Sequence, residues 1–362
     1  MRSAASWSFG SGFSIGLAAI LISSAWAQNA PNSQPAVTTP AAQQNSIGQQ
    51  SAPVPSSPTQ PAPPAQEPGV QQPVSPEAGT GDQGSMFVFK KQVEEVVLYA
   101  TVYDEQRHLV PSLDRSAFTV YENGNLQPIT SFRREDVPVA IGIVVDNSGS
   151  MRDKRDEVSK ALVNLIRVSN PQDQIFVVNF SQNSYLDQDF TSDVNLLQAA
   201  LHQVSARGST ALYDAVVASA VHLKSNTPLD KRVLLVITDG QDNMSQETLQ
   251  EASRRLQQAN GPTLYAIGLL GSGMQRSGRE ALQQLAAGTG GVAYFPETTS
   301  EVDNITRTIA HDIRSQYRIA YRPHNQNLKP EYQSVQVEAH AQGFGKLTVR
   351  TRSGYYSENS PH

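Results

Sequence analysis

Between Ile141 and Met151 the chain reads I-G-I-V-V-D-N-S-G-S-M, an apolar run cut off by an acidic residue and two serines one residue apart. A β-branched run without polar alternation is the pattern of a strand buried on both faces, which belongs in a parallel sheet with helices above and below. The C-terminal end of such a strand is where open α/β sheets place their ligand crevice. The oxygens of Asp146, Ser148 and Ser150 therefore stand where a fold of this kind does its chemistry.

The sequence on the C-terminal side of this run agrees. Strands are expected at residues 139–145, 174–180, 232–238, 263–268 and 292–295. Apolar residues at helical spacing mark helices between and after them, at 153–168, 193–204, 211–224, 245–259, 280–287 and 301–314. Asn243 with Gln246 reads as the cap of the fourth helix and Gly288 as the stop of the fifth. Residues 185–190 are short and polar, as an edge strand should be. Together these give a doubly wound α/β domain over residues 137–315, with five or six parallel strands, one antiparallel edge and the 232–238 strand in a central position.

Both flanks of that domain have β character. On one side, residues 93–103 and 118–121 are strand candidates, and Glu122-Asn123-Gly124-Asn125 is a hairpin turn. On the other, residues 317–321, 334–338 and 346–350 and the pair Tyr355-Tyr356 are candidates. Neither 86–136 nor 316–357 holds enough strands to close a core alone. They are expected to pair into one small all-β, sandwich-like domain into which the α/β unit is inserted.

The first 85 residues read differently. Arg2, the apolar run from Phe13 to Ile22 and Ala25-Trp26-Ala27 are the parts of a secretory signal over residues 1–27, cleaved after Ala27. The run is shorter than the roughly 20 residues a bilayer demands, which argues against a retained anchor and against membrane insertion after cleavage. Residues 28–85 are Pro, Gln, Ala, Ser and Thr with three charges, a disordered, partly polyproline-like spacer. The expected destination is the bacterial periplasm, cell surface or exterior.

Composition narrows the chemistry. The 362 residues include no cysteine, which excludes disulfides and thiolate metal sites. The net charge is −5 with the basic residues scattered, so nucleic acid is not an expected partner. Nucleophile elbows, phosphate-binding glycine loops, paired-histidine zinc motifs and an Asp-x-Asp phosphatase pattern are all missing, so no catalytic residue and no enzyme is expected. What remains is a set of hard oxygens. Asp146, Ser148 and Ser150 are joined by Thr210 in Gly208-Ser209-Thr210, and by Asp239 in Thr238-Asp239-Gly240 after the most hydrophobic strand. Carboxylates with neutral hydroxyls suit Mg²⁺, with Mn²⁺ or Ca²⁺ as alternatives. Each piece also has a plain reading: Ser150 with Asp153 as a helix cap, Thr210 as a cap, Asp239-Gly240 as an ordinary turn.

The ordered set, Asp-x-Ser-x-Ser, then a later Thr, then Asp-Gly after a hydrophobic strand, resembles the metal-ion-dependent adhesion site of von Willebrand factor A domains. The resemblance covers about residues 137–315. The segments D-R-S-A-F-T-V-Y-E-N-G, V-D-N-S-G-S-M, Y-R-I-A-Y-R-P and R-S-G-Y-Y resemble more narrowly the VWFA-related family of acidobacteria. It implies that Ser148 and Ser150 bind the ion through their hydroxyls and Thr210 directly or through water. Asp146 and Asp239 would act mostly through water or hydrogen bonds. The expected function is metal-dependent binding of a partner protein that offers an Asp or Glu carboxylate. The alternatives are a structural envelope component with a loop-stabilising ion and, behind it, a metal-dependent hydrolase.

Overall fold

The structure, a computed structural model, describes residues 95–134, 136–202, 206–269, 275–323 and 331–357. The expected signal, the spacer and residues 86–94 lie outside the described residues. The chain enters through four strands, β1 (Val96–Tyr103), β2 (Phe118–Glu122), β3 (Asn125–Gln127) and β4 (Ile129–Arg133). The β2–β3 hairpin turns at Asn123 and Gly124, both with positive φ of 49° and 78°, the backbone that a two-residue hairpin turn requires. No strand was expected at β4.

The α/β unit follows as β5 (Val139–Asp146), α1 (Arg155–Val168), β6 (Gln174–Phe180), β7 (Ser184–Thr191), α2 (Val194–His202), α3 (Leu212–Asn226), β8 (Lys231–Thr238), α4 (Leu249–Leu256), β9 (Thr263–Gly268), α5 (Arg276–Thr289), β10 (Ala293–Tyr294) and α6 (Val302–Arg314). The sheet order is β10-β9-β8-β5-β6-β7, parallel except for the β7 edge, so β5 and β8 lie at the centre. Ile141, Ile143 and Val145 face α1 and α6 through Val158, Leu162, Leu165, Ile309 and Ile313. On the other face, Val144, Val178 and Val236 meet α3, α4 and α5 through Leu212, Val216, Leu256 and Leu282. Each such fully buried side chain is worth about 1.5–3 kcal/mol of apolar transfer. Gly142 is the one gap in the β5 run, and a Cβ there would lie 2.4 Å from the Phe176 ring, so the ring needs that gap to lie across the strand.

Two helices differ from expectation at their ends. α4 starts only at Leu249, capped by Thr248, whose side chain and that of Glu251 each bond the other's backbone N–H. α5 starts at Arg276 and runs through Gly288 to end at Gly290, where φ is +84°. Gly288 lies inside the helix, and the Gln257 side chain occupies the space beside it; a Cβ would come within 2.5 Å of Gln257 Nε2.

The chain then returns through β11 (Tyr317–Tyr321), β12 (Tyr332–Ala339), β13 (Thr348–Arg350) and β14 (Gly354–Tyr356). These strands interleave with the first four as two sheets of four, β13-β1-β11-β4 and β14-β12-β2-β3. Leu98, Val120, Tyr317, Ile319, Val335, Val337 and Tyr355 fill the core between them. Tyr355 is therefore interior, and its hydroxyl and that of Tyr321 both donate to the buried Glu122 carboxylate, at 2.9 and 2.6 Å.

Buried polar groups fasten this sandwich to the α/β layers. Asp312 on α6 accepts from Thr101 and Tyr103 of β1, from Tyr265 of β9 and from Arg350 of β13. Arg352 donates to the carbonyls of Leu256 and Gln258 at the end of α4, and Tyr356 pairs with the same stretch through Gln257. Lys231, at the start of β8, donates to the Ile313 carbonyl at the end of α6 and lies over the Tyr99 ring.

Burial, with Arg314 nearby, lowers the Lys231 ammonium from 10.5 to about 8, against the opposing pull of Asp136, Asp312 and Asp173. Between those values the unfolded chain holds a proton that the folded chain lacks. The penalty is therefore complete below pH 8 and is relieved as pH rises towards 10.5. Relative to Lys231→Met, the wild type is expected to gain roughly 2–4 kcal/mol of unfolding free energy across that window. Urea titrations of both proteins at pH 7.5, 8.5 and 9.5 measure the slope; parallel curves would mean that the ammonium keeps its ordinary proton affinity.

Candidate metal centre

Parallel strands in register bring their C-terminal ends to one edge of the sheet, and three loops leave from that edge. Val145 pairs with Ile237 and Asp146 with Phe180, so the ends of β5, β6 and β8 are level. The first loop turns at once: Asp146 Oδ1 accepts from the Ser148 N–H at 2.7 Å, and Gly149–Met151 form one turn of 3₁₀ helix before α1. Met151 is fully buried and holds that turn to the core. The turn leaves Ser148 Oγ and Ser150 Oγ 3.1 Å apart.

The second loop is stitched to the first by backbone. Arg207 N–H donates to Asn147 O at 2.8 Å and Gly149 N–H to Gly208 O at 3.3 Å. Gly208 has φ of +88°, a conformation that carries the chain on to Thr210 without side-chain strain. The third loop closes on both. Asp239 Oδ1 accepts from Ser150 Oγ at 2.7 Å, and Thr238 Oγ1 donates to Asp146 Oδ2 at 2.5 Å. Gly240 leaves room for Thr210, whose Oγ1 would lie 3.3 Å from a Cβ built at that glycine.

All five residues singled out in the sequence thus meet at one end of the sheet. Asp146, Ser148, Ser150 and Asp239 form a continuous hydrogen-bonded chain, and Thr210 joins it beside Gly240. Ser150 does not cap α1, which begins at Arg155 without a side-chain cap; its hydroxyl is committed to Asp239. Ser148, Asp146, Thr210 and Asp239 are buried, whereas Gly149 and Ser150 are exposed at the rim. Burial raises the Asp146 pKa above its ordinary value, opposed by the hydrogen bonds from Thr238 and Ser148 and reinforced by Asp239.

Other residues at the site carry no signal in the local sequence pattern. Thr238 orients Asp146, and Lys154 sets its ammonium on Asp239 Oδ2. Asn243 and Thr210 hold each other, Thr210 N–H to Asn243 Oδ1 and Asn243 N–H to Thr210 O, both at 3.0 Å. Asp242 accepts from Tyr213 N–H, and Asp214 from Gln246 and Glu247 N–H, so the third loop clamps the start of α3. This is why Asn243 does not cap α4. Its side chain is used 33 residues upstream to fix the loop that carries Thr210.

Among the described residues no group of three or more His, Asp or Glu side chains forms a metal cluster. The donors at this edge are instead hydroxyls backed by two carboxylates. Hard oxygens of mixed charge fit a small divalent cation that keeps some of its waters. Neutral hydroxyls nearest such an ion would leave it more electrophilic than a carboxylate cage would.

The α/β unit has a von Willebrand factor A-like fold. Residues 141–241 match the family model of that description, a span that holds all five site residues. Solved structures similar to parts of the chain include proximal thread matrix protein 1 from the mussel byssus with a zinc-occupied MIDAS motif (TM-score 0.44, 16% identity, 54% of this chain and 50% of that one). They also include the PilB minor pilin from Streptococcus sanguinis (TM-score 0.43, 14% identity, 53% and 64%). A third is a von Willebrand factor type A protein from Catenulispora acidiphila (TM-score 0.43, 14% identity, 75% and 76%). The chain spans about half the length of the mussel protein and less than two thirds of the pilin. No curated protein matches the sequence. Among the described residues no helix is long and apolar enough to cross a membrane.

Proposed function

We propose that this chain is an exported binding protein whose three loops hold a divalent cation, and that the ion receives a carboxylate from a partner protein. The observation that carries this reading is the chain of contacts from Ser148 Oγ to Ser150 Oγ and from Ser150 Oγ to Asp239, with Thr210 beside Gly240 and Ser150 at the exposed rim. Ser148 and Ser150 are the direct ligands, with Thr210 direct or through water. Asp146 and Asp239 orient the hydroxyls and supply negative charge. Mg²⁺ fits this donor set, and Mn²⁺, Ca²⁺ and the zinc named for the mussel protein are the ions to compare. Bound there, the cation acts as a Lewis acid that an acidic side chain completes. Among the described residues no His hydrogen-bonds these hydroxyls: Ser148 meets Ser150, and Ser150 donates to Asp239.

Capture from an envelope extract tests the binding role. Immobilised wild type is expected to retain a partner in Mg²⁺ and release it in chelator, and Ser148→Ala is expected to retain none. Capture that is indifferent to both changes would replace this reading with that of a structural envelope protein whose ion only stiffens the loops.

A further inference from the structure

Lys154 stands at the N-terminal boundary of α1, four residues beyond Ser150, and its ammonium contacts Asp239 Oδ2. The other oxygen of that carboxylate accepts from Ser150. The two partners differ in access to water: the Asp239 side chain is 1% exposed and that of Lys154 is 24% exposed. Helix architecture does not ask for a lysine here. It caps no backbone group of α1, and a cation at a helix N-terminus faces the positive end of the macrodipole. The contact is therefore set by Asp239.

We propose that Lys154 is a built-in counter-cation of the metal centre, pairing with Asp239 when no divalent ion is bound and competing with the ion for that carboxylate. The proposal rests on the metal-binding reading above. Asp146 and Asp239 put two buried carboxylates behind the serines, an arrangement that is costly without a nearby positive charge. The ammonium supplies that charge from within the chain. A lysine suits the task better than an arginine: it is a compact charge on a flexible stem that swings to solvent, not a fork locked onto both oxygens. The consequence is a site that folds without its ion and fills only at ion concentrations high enough to displace the lysine.

Calorimetric titration of the full chain with Mg²⁺ and with Mn²⁺, on wild type, Lys154→Met and Lys154→Arg, tests this. Lys154→Met is expected to bind the ion on the order of ten- to a hundredfold more tightly than wild type. Without ion it is expected to melt at a lower temperature, because Asp239 has lost its partner. Lys154→Arg, which retains the charge on a less mobile fork, is expected to bind no more tightly than wild type. Lys154→Gln repeats the comparison with a neutral hydrogen-bond donor if methionine unfolds the chain. Equal affinities in wild type and the neutral variants would overturn the counter-cation and leave the metal centre standing. Weaker binding by the neutral variants would overturn it too, and would make Lys154 a residue that positions Asp239. Binding by none of the proteins would overturn the metal centre and this proposal with it.

Discussion

Asp312→Ala is expected to destabilise the protein by about 3–5 kcal/mol, the range for removing one partner of a buried ion pair. Asp312 is 3% exposed and collects hydrogen bonds from Thr101, Tyr103, Tyr265 and Arg350. Those partners belong to β1, β9 and β13, so one carboxylate on α6 joins the central sheet to the sandwich. Its removal leaves the Arg350 guanidinium, held above its ordinary pKa mainly by the Asp312 charge against the effect of burial, with no anion in contact. Arg350 keeps a hydrogen bond to Gly290 O at 3.2 Å and the Tyr103 ring beneath it, which limit the loss without replacing the charge. Asp312→Asn retains the acceptor and should cost less. Urea unfolding at neutral pH measures all three proteins. A cost below about 1 kcal/mol for the alanine variant would mean that water or a rearranged Arg350 replaces the pair.

Ser148→Ala with Ser150→Ala is expected to lower divalent-ion affinity by on the order of a hundredfold or more, beyond the 10–100-fold typical of lost outer partners of a metal site. The same pair of changes should leave the fold almost untouched. The turn is held by the Ser148 N–H bond to Asp146 and by buried Met151, neither of which uses a hydroxyl. The structural loss is two hydrogen bonds, Ser148 to Ser150 and Ser150 to Asp239, worth about 1 kcal/mol each. Calorimetry gives the affinity and circular dichroism the melting temperature. Unchanged ion binding would remove the serines from the site, and a collapse in melting temperature would show that the hydroxyls serve the fold.

The parts of this molecule that were legible in the sequence are those written in short-range pattern. The strands Gln174–Phe180 and Thr263–Gly268 match their apolar runs residue for residue, because strands inside a sheet covered by helices on both faces are hydrophobic on both faces. Asn123-Gly124 announced its hairpin for an equally local reason. Ile129–Arg133 did not read as a strand: its partner is Tyr317–Tyr321, far along the chain, and its own five residues are half polar. Gly288 misled because a glycine inside a helix looks like a stop. Here it makes room for Gln257, and the true stop is Gly290 in the left-handed region.

The site divides in the same way. Asp146, Ser148 and Ser150 share one turn, and their spacing alone shows that they converge. Thr210 and Asp239 join them only through the resemblance of the ordered set to a metal-ion-dependent adhesion site. Lys154 and Asn243 could not be assigned, since nothing near either residue says that its side chain reaches Asp239 or Thr210. Those contacts span 85 and 33 positions and exist only once the strands are in register.

Locating the ion decides whether a divalent cation binds among these hydroxyls. Crystals grown in Mn²⁺ and measured for anomalous scattering are expected to show one peak between Ser148 Oγ and Ser150 Oγ, on the side of Thr210 and Asp239. A peak elsewhere on the protein, or none at this edge of the sheet at saturating Mn²⁺, would mean that these hydroxyls hold no ion.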